Sequence, residues 1–162
     1  MNLVYIAGPY RGADISVVRS NINAAKRTAI RLIDQLHHQP VTPTQWFPVI
    51  PHMNTALFDF QAELADIVPD SYYLQGTLEQ MRACKAVILT GRNAIQRSVG
   101  TTSEVMEANR LGIPVFTNVE TFIHYLTNDE YFMKVNAQVA TTVALATAPS
   151  YDEAVTFGLW ID

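Results

Sequence analysis

A glutamate lies inside the segment RSVGTTSEVMEANRLGIPVF, at the start of a predicted helix. Thr101 precedes Glu104 by three positions, and this T-x-x-E spacing is typical of a capping box, in which the glutamate closes the helix N-terminus. The second interpretation is chemical. A carboxylate on the first turn of a helix that faces a ligand crevice can act as a nucleophile on a sugar carbon, as in retaining glycosidases. The two roles are compatible, and the spacing leaves both open.

Residues that suit an anion surround the start of the same helix. Ser98 and Gly100 precede it, and free N–H groups together with the helix dipole favour an anion at such a position. Glycine also lets a ligand approach the backbone closely. With Thr101, these residues form a predicted anion-binding loop.

Other side chains have two interpretations each. Tyr5, inside the first predicted strand, is either a core aromatic or a hydroxyl that steers a carboxylate. The loop GPYRG follows that strand and contains Gly8, Pro9 and Arg11. Arg11 is either a surface cation or a phosphate ligand. His52 either is structural or faces the site.

The elements that must position these residues follow from hydrophobic periodicity. Continuous apolar runs in LVYIAG, AVILT and IPVFT predict buried parallel strands. Spacings of three and four predict a helix from about Ser16 to His38, with Asp14 or Ser16 as its cap. Further helices are predicted over SYYLQGTLEQMRAC, from Thr101 to Leu111, and over ETFIHYLTN.

Three stretches of the chain are less regular. Trp46 to Ile50 predicts a short strand, which Pro48 confines to an edge. A helix is predicted across Asp59 to Asp66, within a loop that could cover a pocket. The apolar stretch AQVATTVALATA suits either helix or strand, and TFGLWID suits a strand or a docked tail.

The alternation of strands and helices predicts one doubly wound α/β domain with a parallel sheet, spanning residues 1–162. Ligands bind such sheets beyond the carboxyl ends of the strands. The loops after Ala7, Leu89 and Phe116 are therefore expected to converge. The third loop, TNVE, adds Asn118 to the candidate substrate-binding residues.

Composition excludes several classes of function. The net charge is -4 and the chain has no run of Lys or Arg, so a nucleic-acid polymer is not an expected partner. The single cysteine, Cys84, rules out a disulfide framework and a zinc cluster. Neither a signal peptide nor an apolar run of the ~20 residues that span a membrane is recognisable. A soluble, cytoplasmic protein is expected.

The chain resembles the nucleoside 2-deoxyribosyltransferase superfamily, and in particular its small deoxyribosyltransferase-like and nucleotide N-glycosidase-like members. The matching stretches occur in the family's order over about residues 4–116, and they are VYIAGPYRG, RSNINAAKRTAIRL, PVIPH, LEQMRACKAVIL and SVGTTSEVMEANRLGIPVF. The pairing of VYIAGPYRG with S-x-G-x-x-x-E and GIPV is more specific for the superfamily than for one activity.

The resemblance implies a Rossmann-like (flavodoxin-like) sheet of about five strands and an active site shared between subunits of a homo-oligomer, a dimer or larger. It assigns Glu104 as the nucleophile on the anomeric carbon and Tyr5 as the residue that orients it. It assigns Ser98 and Gly100 to the grip on a 5′-phosphate. This chemistry requires no metal and no cofactor, so none is expected.

One departure from the family bears on the reaction. The transferases carry aspartates just before the AVIL-type strand and in the following loop, where they help protonate the leaving base. Here those positions read ACKAVIL and GRNAIQRSVG, without an acid. Hydrolysis of a nucleotide is therefore favoured over base transfer, because the S-x-G loop is present and these acids are absent, within a general expectation of N-glycosidic bond cleavage in a nucleoside or nucleoside 5′-monophosphate. A non-catalytic protein that senses or sequesters a nucleotide remains the alternative.

Overall fold

The structure is a computed structural model that describes residues 1–38, 46–51, 70–91 and 93–127. His52, the helix predicted across Asp59 to Asp66, and the segments AQVATTVALATA and TFGLWID lie outside the described residues.

Four described strands form one parallel sheet. They are β1 (Asn2–Ala7), β2 (Trp46–Val49), β3 (Ala86–Leu89) and β4 (Val115–Phe116), in the order β2-β1-β3-β4. The α/β class and the parallel sheet are confirmed, with four described strands where about five are expected. In this sheet β2 is an edge strand, as the presence of Pro48 predicts, because proline has no N–H for a second neighbour.

Four described helices flank the sheet: α1 (Ile15–His38), α2 (Asp70–Arg82), α3 (Val99–Arg110) and α4 (Val119–Thr127). Asp14 caps α1 as predicted, because its carboxylate accepts the backbone N–H groups of Ser16 and Val17 at 2.8 and 3.1 Å. Gly112, with φ of 70°, lies just beyond the C-terminus of α3, where a left-handed residue ends the helix. Among the described helices, none is long and apolar enough to cross a membrane.

Alternate residues of the strands point to opposite faces of the sheet, and each face has its own apolar cluster. Val4 and Ile6 pack with the buried residues of α1 and α4. Tyr5 and Ala7 pack on the other face, with Met81 of α2 and buried residues of α3 such as Val105 and Ala108. The sheet is thus covered on both sides, which explains why its strands are continuous apolar runs.

The capping box predicted at Thr101 is wrong. α3 begins at Val99, and its N-cap is Ser98, whose Oγ accepts the N–H of Thr101 at 3.2 Å. Glu104 is therefore on the second turn of the helix and does not cap it. Two overlapping cap signals exist in RSVGTT, and burial decides between them: Thr101 is only 1% exposed, so it packs inside the domain and does not serve as a surface cap.

Candidate functional site

Tyr5 and Glu104 meet inside the layer between the sheet and α2 and α3. The Tyr5 hydroxyl donates a hydrogen bond of 2.7 Å to Oε1 of Glu104. Tyr5 is fully buried and Glu104 is 4% exposed. The contact forms because residue 5 points to the α3 side of β1, and the second turn of α3 brings its one buried carboxylate toward that strand.

Burial dominates the electrostatics of this pair. It raises the pKa of Glu104 to about 7, although hydrogen bonds to Tyr5 and Thr77 act in the opposite direction. Burial and the neighbouring carboxylate also raise the pKa of Tyr5, so the phenol keeps its proton and remains a hydrogen-bond donor. At neutral pH, Glu104 is therefore populated both as an acid and as a carboxylate.

Thr77 is a member of this cluster that the sequence interpretation missed. Its hydroxyl lies on α2 and donates to the carbonyl of Leu74 at 3.0 Å. It also lies close enough to Tyr5 and Glu104 to lower the pKa values of both groups. The sequence feature that points to Thr77 is its position three residues after Leu74. This places it on the same face of the helix as Leu78 and Met81, which packs toward the sheet.

The predicted anion-binding loop lies one turn before Glu104. The Ser98 hydroxyl accepts a hydrogen bond as the helix cap. A Cβ added at Gly100 would lie 3.7 Å from Ser98 Oγ and 3.8 Å from Leu74 Cδ1, which are ordinary contacts. Packing among these residues therefore does not require a glycine here.

Thr101 has an unusual environment within this loop. Its Oγ1 is buried and has no hydrogen-bond partner among the described residues. A buried polar atom without a partner costs about 1–3 kcal/mol. The hydroxyl is thus available to a further hydrogen-bonding group.

The loop after β1 is held by the sheet on one side and by α1 on the other. Thr90 N donates to Ala7 O at 2.8 Å, which extends the pairing of β1 and β3. A Cβ on Gly8 would fall 2.1 Å from Thr90 Oγ1, so a side chain at residue 8 would displace Thr90. Pro9 follows and is buried, Tyr10 is half-buried, and the loop is exposed from Arg11 onward.

Asn21 anchors the same loop and was also missed. This buried residue of α1 donates from Nδ2 to the carbonyls of Tyr10 and Arg11, at 3.2 and 3.0 Å. The Arg11 side chain itself is exposed. The position of the loop is therefore determined by a helix residue inside the RSNINAAK stretch.

Asn118 lies elsewhere. It precedes α4 and accepts the N–H of Thr121 at 2.9 Å. It also lines a cavity with residues of α1, on the opposite side of the sheet from the Tyr5 ring. The structure therefore brings Tyr5 and Glu104 together, places Ser98, Gly100 and Thr101 one turn away, and separates Asn118 from them.

No group of three or more His, Cys, Asp or Glu side chains among the described residues is arranged to hold a metal ion. Comparison with known proteins gives no match among protein families, curated proteins or solved structures.

Proposed function

We propose that this protein cleaves the N-glycosidic bond of a nucleoside or nucleoside 5′-monophosphate, with Glu104 as the nucleophile and Tyr5 as the residue that orients it. The observation that supports this proposal most is the 2.7 Å hydrogen bond between the two buried side chains. A lone buried carboxylate is costly, and such costs are concentrated at functional sites.

The strand order supports the same proposal. The order β2-β1-β3-β4 corresponds to the first four strands of the flavodoxin-like arrangement, whose topological switch point lies between β1 and β3, because β2 is added on one side of β1 and β3 on the other. Ligands of such sheets bind at this point, beyond the carboxyl ends of those strands. Gly8 and Thr90 stand there, each three residues beyond the paired residues Tyr5 and Val87. We infer a Rossmann-like member of the deoxyribosyltransferase superfamily.

The proposed reaction has two steps. Ionised Glu104 attacks the anomeric carbon, the bond from that carbon to the base breaks, and the departing base takes up a proton. Water then attacks the glycosyl ester, which releases the sugar, regenerates the carboxylate and yields a proton. The Tyr5 hydroxyl fixes the orientation of the carboxylate through both steps, and Ser98, Gly100 and Thr101 receive the 5′-phosphate.

Release of free base tests the proposal. The full chain is incubated with each nucleoside and nucleoside 5′-monophosphate, and the base is quantified by chromatography. Glu104→Gln preserves the size and hydrogen bonding of the side chain but is not a nucleophile, so it is expected to abolish release. Release at the wild-type rate by Glu104→Gln would contradict the proposed mechanism.

A non-catalytic nucleotide-binding protein is the second candidate. Two observations favour it: Glu104 is only 4% exposed, and Cys84 and Lys85 stand before β3 where the transferases have an acid. This candidate predicts saturable nucleotide binding without base release, and equal binding by Glu104→Gln.

Assembly and location belong to the proposal as well. A homo-oligomer that shares its site between subunits is expected in the cytoplasm. Light scattering coupled to size-exclusion chromatography would detect such a homo-oligomer.

A further inference from the structure

A cavity of about 380 Å³ opens on the side of the sheet that carries α1 and α4. Its wall consists of the middle of α1, the residues that follow β3, and the first residues of α4. The volume falls within the range of roughly 300–1,000 Å³ found for small-molecule sites. Neither Tyr5 nor Glu104 is among the described residues that line it. The cavity is therefore distinct from the proposed catalytic pair.

The cavity is positively charged on an otherwise acidic chain. Arg27 and Arg31 lie one turn apart on α1, so both face it. Arg31 Nε is 2.6 Å from Oε1 of Glu120, which neutralises that arginine. Within the described part of the chain, Arg27 forms no ion pair. Its guanidinium is thus available for a ligand, although the net charge of the protein is -4.

The remaining polar groups of the wall suit the same kind of ligand. The cavity borders the N-terminus of α4, where backbone N–H groups and the helix dipole attract anions. Thr90 and Thr117 add hydroxyl groups. A guanidinium, a helix N-terminus and hydroxyls together are the groups that recognise phosphate.

The wall also limits what is attached to the phosphate. None of the described residues that line the cavity is aromatic, so it offers no ring on which a nucleobase could stack. We propose that this cavity binds a phosphate monoester, with Arg27 and the N-terminus of α4 holding the phosphate group. Inorganic phosphate and a sugar phosphate share this chemistry. The space left beyond one phosphate favours the sugar phosphate.

Calorimetric titration of the full chain with inorganic phosphate and with ribose 5-phosphate tests the proposal, with sodium chloride at matched ionic strength as the blank. Arg27→Gln is expected to weaken binding of both probes by about tenfold or more, the usual effect of removing a charge-assisted hydrogen bond. Arg19→Gln is the matched control, because Arg19 is an exposed arginine of the same helix that does not line the cavity.

A second variant is expected to act in the opposite direction. Glu120→Gln removes the carboxylate that engages Arg31 and lowers the negative charge at the cavity, so phosphate should bind more tightly. Melting temperatures of all variants establish that each is folded.

The proposal is overturned if the wild type shows no saturable binding of either probe at millimolar concentration. It is equally overturned if Arg27→Gln and Arg19→Gln bind alike, since binding would then not depend on the cavity. Arg27-dependent binding of either probe supports it, and tighter binding of ribose 5-phosphate identifies the sugar phosphate as the ligand class.

Discussion

Tyr5 and Glu104, separated by 99 positions in the chain, are joined by a 2.7 Å hydrogen bond beneath α3. The carboxylate is buried, and its nearest described partners are hydroxyl groups rather than cations. Its ionised form is therefore held by neutral donors alone, which makes its charge state sensitive to pH.

Stability should fall as pH rises because of Glu104. Its pKa is about 7 in the folded protein against an ordinary value of 4.5, so the folded state retains a proton that the unfolded state loses. The contribution of Glu104 to the free energy of unfolding is fully present below pH 4.5. As the pH rises to 7, about 3 kcal/mol of it is lost. Urea unfolding at a series of pH values measures it. Glu104→Gln, which cannot ionise, should remove this slope; an unchanged slope would assign it to other groups.

Tyr5→Phe should destabilise the domain and further raise the pKa of Glu104. The substitution keeps the ring in the core but removes a donor from a buried carboxyl group, at a cost of about 1–3 kcal/mol. Since that hydrogen bond lowers the pKa of Glu104, its loss should extend the pH-dependent decline to higher pH. If the decline has the same pH midpoint in Tyr5→Phe as in the wild type, the Tyr5 hydroxyl does not hydrogen-bond to the Glu104 carboxylate in solution.

Gly8→Ala should be destabilising, and Gly76→Ala should not. The added methyl group at residue 8 would overlap Thr90, whereas at residue 76 it meets nothing within 4 Å. Overpacking of this kind costs about 1–3 kcal/mol, while alanine within α2 should stabilise by up to about 1 kcal/mol. Thermal unfolding of both variants provides the comparison. Equal melting temperatures would show that the Thr90 side chain moves aside without loss of stability.

Thr101→Val separates two explanations of the unpaired hydroxyl. The variant has nearly the same shape and removes a buried polar atom without a partner, so stability should stay constant or rise by about 1 kcal/mol. If the hydroxyl receives a 5′-phosphate, affinity for nucleoside 5′-monophosphates should nevertheless decrease, while affinity for nucleosides is retained. A marked loss of stability would instead reveal a structural hydrogen bond.

Glu107→Gln should weaken the contact between α2 and α3. It should also reduce the fall in unfolding free energy as the pH becomes acidic. Arg110 and Arg82 both hydrogen-bond to this carboxylate and lower its pKa to about 2. The stabilisation is present above the ordinary pKa of 4.5 and is lost as pH falls toward 2. High salt should reduce the effect, because the arginines are at the surface. The assignment would be contradicted if the loss of unfolding free energy at acid pH were independent of salt and identical in Glu107→Gln and the wild type.

Local patterns in the sequence were sufficient for much of the fold. The apolar runs of β1 and β3 and the three-four spacing along α1 are signals contained within each element, because a strand buried on both faces must be apolar throughout and a helix buried on one face must be periodic. Asp14 as a cap and Gly112 as a terminator also follow from local backbone chemistry. The cap of α3 did not, since two hydroxyl signals lay three residues apart and only burial of Thr101 chose between them.

The tertiary structure alone decided which residues share a face of the sheet. Thr77 has no motif, and it joins Tyr5 and Glu104 only because α2 packs beside α3. Asn118 was grouped with Glu104 because both belong to loops or helices at one edge of a parallel sheet. The chain crosses to the other face between α3 and α4, however, so the two residues lie on opposite sides. The sequence determined which residues are available for chemistry; the side of the sheet that each helix covers is set by packing between distant elements, which local periodicity does not encode.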